Sequence, residues 1–360
     1  MAPQTGNQME GDRQMEISTD ALIAISIIWG FVFIYAVMAT MDFGAGFWSM
    51  IYLNKEHMKA TDIANRFLSP TWEVTNVFIV AIVVALFSFF PGATFVLGTV
   101  LLIPGSMILL LLAIRSGFLV FSNTAKERKT LRYISGISGF IIPAILILVL
   151  PVTHGGFIEK TDGIYNLNMS KIFSSPNAYS FIGFAILSTL FLSSLLLADV
   201  SNVAEEQDAY RAYRKSALIT GPISLLFAVC IMVTMRNEAN WLYSGMMNDF
   251  TWIIASFITF VIAGIALFLP NKSFGQNIGK PRLALVAIGI QYFLASYAYG
   301  RAHLPYMIYP DVTVMSGFTE PATFRALFAT YIVAFIILFP GFFFFWKMFM
   351  RDKRYIRQEE

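Results

Sequence analysis

The sequence predicts an all-α polytopic membrane protein with about nine transmembrane helices. Its N-terminus is expected outside, its C-terminus in the cytoplasm, and its helices in two four-helix bundles plus one extra. Three observations predict this class. Apolar residues make up 57% of the chain and charged residues 13%, against about 25% charged in soluble domains. The apolar residues collect in stretches long enough to cross a hydrocarbon core of about 30 Å. Lys and Arg accumulate on alternate connections only, and such bias sets orientation, because basic loops stay in the cytoplasm.

The stretches follow in order, with ends uncertain by about four residues. The first, 21–53, is longer than the core requires, so it tilts or projects into the cytoplasm. The second, 71–90, is ended by Pro91-Gly92. The third, 94–122, carries Pro104-Gly105, where a kink is expected. The fourth to sixth are 133–153, 178–203 and 216–236. The seventh, 251–269, is closed by Pro270, and the last two are 283–303 and 323–349. The polar residues 1–20 read as a disordered external tail, 21–349 as one transmembrane domain, and 350–360 as a basic cytoplasmic tail.

The inner connections carry Lys55, Lys59 and Arg66; Lys126, Arg128, Lys129 and Arg132; Arg211, Arg214 and Lys215; and Lys272, Lys280 and Arg282. The C-terminal end adds Lys347, Arg351, Lys353, Arg354 and Arg357, which brings the total to 18 of the chain's 25 Lys and Arg. The outer connections, 91–93, 154–177, 237–250 and 304–322, are poor in them. Orientation accounts for this charge, so nucleic acid is not implied. Trp241, Tyr243 and Trp252 stand where interfacial aromatic anchors are expected. The single Cys230 lies in an apolar stretch and excludes a disulfide framework or a thiolate metal site. No phosphate loop, zinc spacing or hydrolase elbow occurs.

Function is therefore sought among the few polar groups within the spans, which are expensive to bury. Asp42 lies about twenty residues into the first stretch, near the cytoplasmic edge at about 1.5 Å per residue. Arg115 lies equally far into the third. Glu73 opens the second from the cytoplasmic side, and Asp199 ends the fifth. Two carboxylates and a guanidinium at one depth suit an ion pair plus a carboxyl able to carry a proton. The alternative is that Asp42, Glu73 and Asp199 reach the headgroups and are solvated. Gly44 and Gly46 allow a helix or a flat ligand to approach the backbone. Trp72, Glu73 and Asn76 place a ring, an acid and an amide on the first turn of the second stretch, where an acid also suits the helix dipole. Haem held by this chain would need axial ligands. Of three histidines, His57 is in a loop, and His154 and His303 lie at the outer surface, where they are free to face each other.

At these residues the chain resembles subunit II of the cytochrome bd quinol oxidases over nearly its whole length. The resemblance rests on Met41-Asp42-Phe43-Gly44-Ala45-Gly46, on Pro70-Thr71-Trp72-Glu73-Val74-Thr75-Asn76-Val77 and on Phe90-Pro91. Arg115, Leu304-Pro305-Tyr306 and the closing Phe345-Trp346-Lys347-Met348-Phe349 extend it. It implies a haem-free partner of subunit I in a bacterial cell membrane, in a complex that oxidises quinol and reduces oxygen to water. Haem b and haem d are then expected in subunit I. A structural quinone and a small single-span subunit are further expected companions. By resemblance, Glu73 and Asp42 are candidates for a proton route, Arg115 for a structural ion pair, and Trp72, Asn76, Gly44 and Gly46 for quinone or partner contacts. The chain departs from the family where Ala39-Thr40-Met41-Asp42 lacks a first acid and where Val74 replaces a glycine. A secondary transporter is the alternative reading. Transporters show broken helices and polar residues at mid-membrane, whereas the charges here gather near the inner edge.

Overall fold

The computed structural model describes residues 17–53, 58–121, 125–270 and 278–350. Within them, the side chains of 58, 66–74, 121, 125–128, 342 and 345–350 lie outside the described set. Helix α1 (Thr19–Ile51) starts where Ser18 accepts the Ala21 N–H. The polar tail assigned to 1–20 therefore yields to helix at Thr19, and residues 1–16 lie outside the described residues. The second stretch lies on α2 (Met58–Phe89), and Pro91 opens α3 (Pro91–Val100) at a position where its missing N–H costs nothing. The kink expected at Pro104-Gly105 falls earlier. The chain breaks at Leu101, and α4 (Leu102–Phe121) starts afresh. Pro104 has no N–H to offer the Val100 carbonyl, so the ladder is interrupted one turn upstream of the ring.

Helix α5 (Ala125–Leu146) continues into the short α6 (Val149–Thr153). The connection that follows, expected outside, is not plain loop. Strands β1 (Ile158–Thr161) and β2 (Ile164–Leu167) form a hairpin. Its turn is Asp162-Gly163, both at positive φ (51° and 80°), the geometry that a two-residue hairpin turn requires. Helix α7 (Met169–Phe173) leads to α8 (Pro176–Val203), whose Ser175 cap accepts the Ala178 N–H at 3.0 Å. Helix α9 (Gln207–Glu238) starts nine residues before the predicted 216, so Arg211, Arg214 and Lys215 sit on helix rather than in a loop. Arg214 donates to the Leu267 carbonyl (2.8 and 3.0 Å), a cation at the end of the seventh stretch.

That stretch is α11 (Phe250–Ala266), preceded by α10 (Asn240–Asn248) at a bend of 77°. Helix α12 (Pro281–His303) follows. Then come strands β3 (Tyr306–Ile308) and β4 (Val312–Thr313), the short α13 (Val314–Gly317) and α14 (Pro321–Met350). Among the described residues, seven helices are long and apolar enough to cross a membrane, or eight with the bent pair counted as one span.

Helices α1 to α5 form one packed set in which α1 meets α2 and α5, and α4 meets α5. Helices α8, α9, α11 and α12 form a second set, joined to the first where α1 lies along α8. Helix α14 leans on α1 and α2. The two extremes are α8, with 67% of its apolar stretch buried, and α14, with 6%. Apolar residues that face no protein face acyl chains or another subunit.

Candidate functional site

Helix α1 brings Asp42 to the centre of the first helix set, where Tyr35, Ala39 and Phe43 pack with Ile108 of α4 and Ile142 of α5. Arg115 enters from α4. Its Nη2 donates at 3.0 Å to Asp42 Oδ2 and at 3.0 Å to the Asp42 backbone carbonyl. The guanidinium carbon lies 5.0 Å from the centre of the Phe43 ring, a cation–π contact. The Arg115 and Asp42 side chains are only 2% and 4% exposed. Desolvation opposes such a pair, and removing one partner is far worse than never having had either. Nε and Nη1 of Arg115 have no hydrogen-bond partner among the described residues. Buried donors of this kind mark where water or another acceptor belongs.

The aspartate that ends α8 behaves differently. Asp199 Oδ2 accepts from Arg282 Nε at 3.1 Å, and the Arg282 side chain is 71% exposed. Asp199 therefore does not join Arg115. Lys59–Glu206 (2.8 Å) and Arg132–Asp62 (3.8 Å) are exposed pairs near the same end of the molecule.

Gly44 and Gly46 pack against helices of this chain. A Cβ at Gly44 would run into Ser193 of α8, and one at Gly46 would lie 2.8 Å from the Ser135 backbone carbonyl of α5. The close approach they allow is thus between α1 and its own neighbours. Beside them Trp48 Nε1 donates to Ser193 Oγ at 3.0 Å, Ser49 Oγ to Asn65 Oδ1 at 2.6 Å, and Tyr213 to the Ala60 carbonyl. Sequence reasoning passed over this seam because its partners are 16 to 153 residues apart. The Glu73 and Trp72 side chains lie outside the described residues. Asn76, one turn further, is half-buried.

At the opposite end, His154 and His303 do meet, with ring centres 6.1 Å apart. Tyr299 completes the group, its hydroxyl 2.6 Å from His154 Nε2. Its spacing of four from His303 places both on one helix face, a signal present in the sequence. Trp241, expected as a lipid-interface anchor, instead turns inward: Nε1 donates to the His154 carbonyl at 3.1 Å, and the ring stacks on Tyr309 at 4.4 Å. His154 lies just past the end of α6. Burial pushes its imidazole down to about 3, with a further push from His303. Each imidazole is bonded to protein through one nitrogen and packed against aromatic rings. Among the described residues no group of three or more His, Cys, Asp or Glu could hold a metal ion.

Membrane-length apolar helices packed around a sealed ion pair define a polytopic membrane protein. The family model for cytochrome bd terminal oxidase subunit II matches residues 21–349, and the chain belongs to that family. It is a multi-pass subunit of a quinol oxidase in the bacterial membrane, and the family implies haems in a partner subunit. The chain is 99% identical over 346 residues to the "Putative cytochrome bd menaquinol oxidase subunit II" of Bacillus subtilis (strain 168), covering 96% of this chain and 100% of the relative. Among solved structures it is similar to the bd oxidase from Geobacillus thermodenitrificans. That match has 32% identity and a TM-score of 0.77, and covers 93% of this chain and 100% of that one.

Proposed function

We propose that the chain is the haem-free second subunit of a menaquinol-oxidising cytochrome bd, partnered with a subunit I that carries haem b and haem d. It scaffolds that partner, and its inner half forms part of a proton route from the cytoplasm. The supporting observation is the sealed Asp42–Arg115 pair, whose second guanidinium edge has no partner among the described residues. A charged group held in an apolar surround, with buried donors still to satisfy, offers water a place to order and a carboxylate beside it. Glu73, an acid at the family's position near the inner surface, is the entry group of this route, and Trp72 beside it is the contact for a structural quinone. Menaquinol follows from the name of the 99% identical relative. Nine spans with the N-terminus outside are the arrangement that the basic inner connections favour.

The test is quinol-driven oxygen uptake by the purified complex carrying Glu73→Gln. Turnover slows while haem content per complex stays normal. Unchanged turnover removes Glu73 from the route.

A further inference from the structure

The outer cap contains a polar pair that the inner route does not use. His154 is 3% exposed, and among the described residues its Nδ1 has no hydrogen-bond partner. The same is true of His303 Nε2, also a buried atom. The rings are neighbours, with centres 6.1 Å apart and planes at 48°. Their remaining nitrogens fix which protons they carry. His303 Nδ1 lies 2.8 Å from the Tyr306 carbonyl, which can only accept, so Nδ1 bears the proton and Nε2 a bare lone pair. When Tyr299 donates its hydroxyl proton to His154 Nε2, the His154 proton sits on Nδ1. One ring then presents a donor and its neighbour an acceptor, both buried and both unmet. A buried polar atom left this way is costly, and a site with two polar partners suits one water.

We propose that a single buried water bridges His154 Nδ1 and His303 Nε2, and that the chain Tyr299–His154–water–His303–Tyr306 is a latch that holds the 304–313 connection on the bundle at neutral pH and releases it in acid. The set is a latch and not a proton wire, because it ends on a backbone carbonyl that takes no proton. What it fastens is local. His303 holds the first residue of β3 through the Tyr306 carbonyl, Tyr309 N–H donates to the Thr153 carbonyl at 2.9 Å, and Trp241 is stacked on Tyr309 while bonded to the His154 carbonyl.

Acid acts on it directly. A proton on His303 Nε2 removes the lone pair that receives the water, and a charge on either ring is opposed by its burial away from solvent. Tyr299 packs against both rings, and Tyr306 and Tyr309 pack around Trp241 beside them. The charged groups on the packed elements are otherwise engaged or turned to solvent. Glu238 accepts from the Ser175 hydroxyl and the Asn177 N–H, Asp249 pairs with Arg301 at 3.2 Å, and Arg236, Glu159, Lys160, Asp162 and Asp311 are exposed. Among the described residues no carboxylate bonds to either imidazole to steady a charge there. The released rings protonate near their ordinary pKa of about 6.5, so release is favoured as pH falls below that value.

Amide hydrogen exchange over 304–314 in the assembled complex, from pH 8 to pH 5 and corrected for intrinsic exchange rates, tests the latch. Protection should fall below about pH 6.5, by at most about ten-fold per pH unit for release coupled to one proton. His303→Asn keeps a donor for the Tyr306 carbonyl and His154→Gln keeps a partner for Tyr299, while neither titrates. Both should flatten the slope. A flat wild-type profile, or an unchanged slope in both variants, overturns the latch. A density map of the complex that resolves ordered waters tests the bridge independently of whether the variants assemble. A peak between the two rings is expected, and its absence overturns the bridging water.

Discussion

Asp42 and Asp199 lie late in α1 and α8, two helices that pack side by side, and each holds an arginine. Around Asp42 the chain closes completely, with side-chain exposures of 4% and 2% for the pair, whereas the arginine on Asp199 is 71% exposed. Chemistry and distance are nearly the same: 3.0 Å in one case and 3.1 Å in the other. What differs is the solvent left to each arginine, since both carboxylates are buried, at 4% and 13% exposure. Exposed pairs contribute about 0–1 kcal/mol, because water screens them and the long side chains lose freedom. A sealed pair is poorly stabilising in itself, yet breaking it strands a charge at a cost of about 3–5 kcal/mol. Two similar sequence features therefore have different consequences, and the sealed one is where function is to be sought.

Substitution should separate the two sharply. Arg115→Ala leaves Asp42 buried without its guanidinium, and a cost of about 3–5 kcal/mol should appear as loss of assembled, haem-bearing complex on purification. Normal yield would mean that the site around Asp42 is wetter than its exposure indicates. Gly46→Ala should come next. Its Cβ would stand 2.8 Å from the Ser135 carbonyl, a backbone atom unable to step aside, and overpacking of about 1–3 kcal/mol should lower the thermal midpoint of the complex. Arg282→Ala should do least, within about 1 kcal/mol, with yield and oxygen uptake close to wild type. If it matched Arg115→Ala, burial would not be what distinguishes the two sites.

The opposite end of the bundle offers a second contrast, because it buries imidazoles rather than charges. Its acid sensitivity has a definite sign. The folded His154 has its pKa pushed down to about 3, below the ordinary 6.5, so the unfolded chain binds the extra proton. Stability from this group is complete above about pH 6.5 and declines as pH falls toward the folded value. A thermal midpoint of the complex that stayed level from pH 7 to pH 5 would show that His154 is not held neutral.

Much of this was legible in the sequence. The apolar stretches give the helices, and the depth argument places Asp42 and Arg115 together, because both lie about twenty residues into stretches that start outside. The break near Pro104 was legible in kind and misplaced by one turn, since a proline acts on the carbonyl four residues before it. The hairpin at Asp162-Gly163 was signalled by its turn pair and overlooked beside the stronger hydrophobic pattern. The sequence position of Trp241 suggests a lipid anchor, because its partners, His154 and Tyr309, come from remote parts of the chain. The division of the two aspartates into sealed and open pairs was not legible. Exposure is set by which helices close over each residue, and no local pattern records that.

The account turns on whether Asp42 carries protons or merely balances Arg115, and the double variant Asp42→Asn, Arg115→Gln separates the two roles. It removes both charges together, so no lone charge is stranded and the complex should assemble with normal haem content. Quinol-driven oxygen uptake by that assembled complex is the decisive reading. Uptake well below wild type at full haem content is the expected result, and wild-type uptake would contradict a role for the sealed pair beyond holding the helices together.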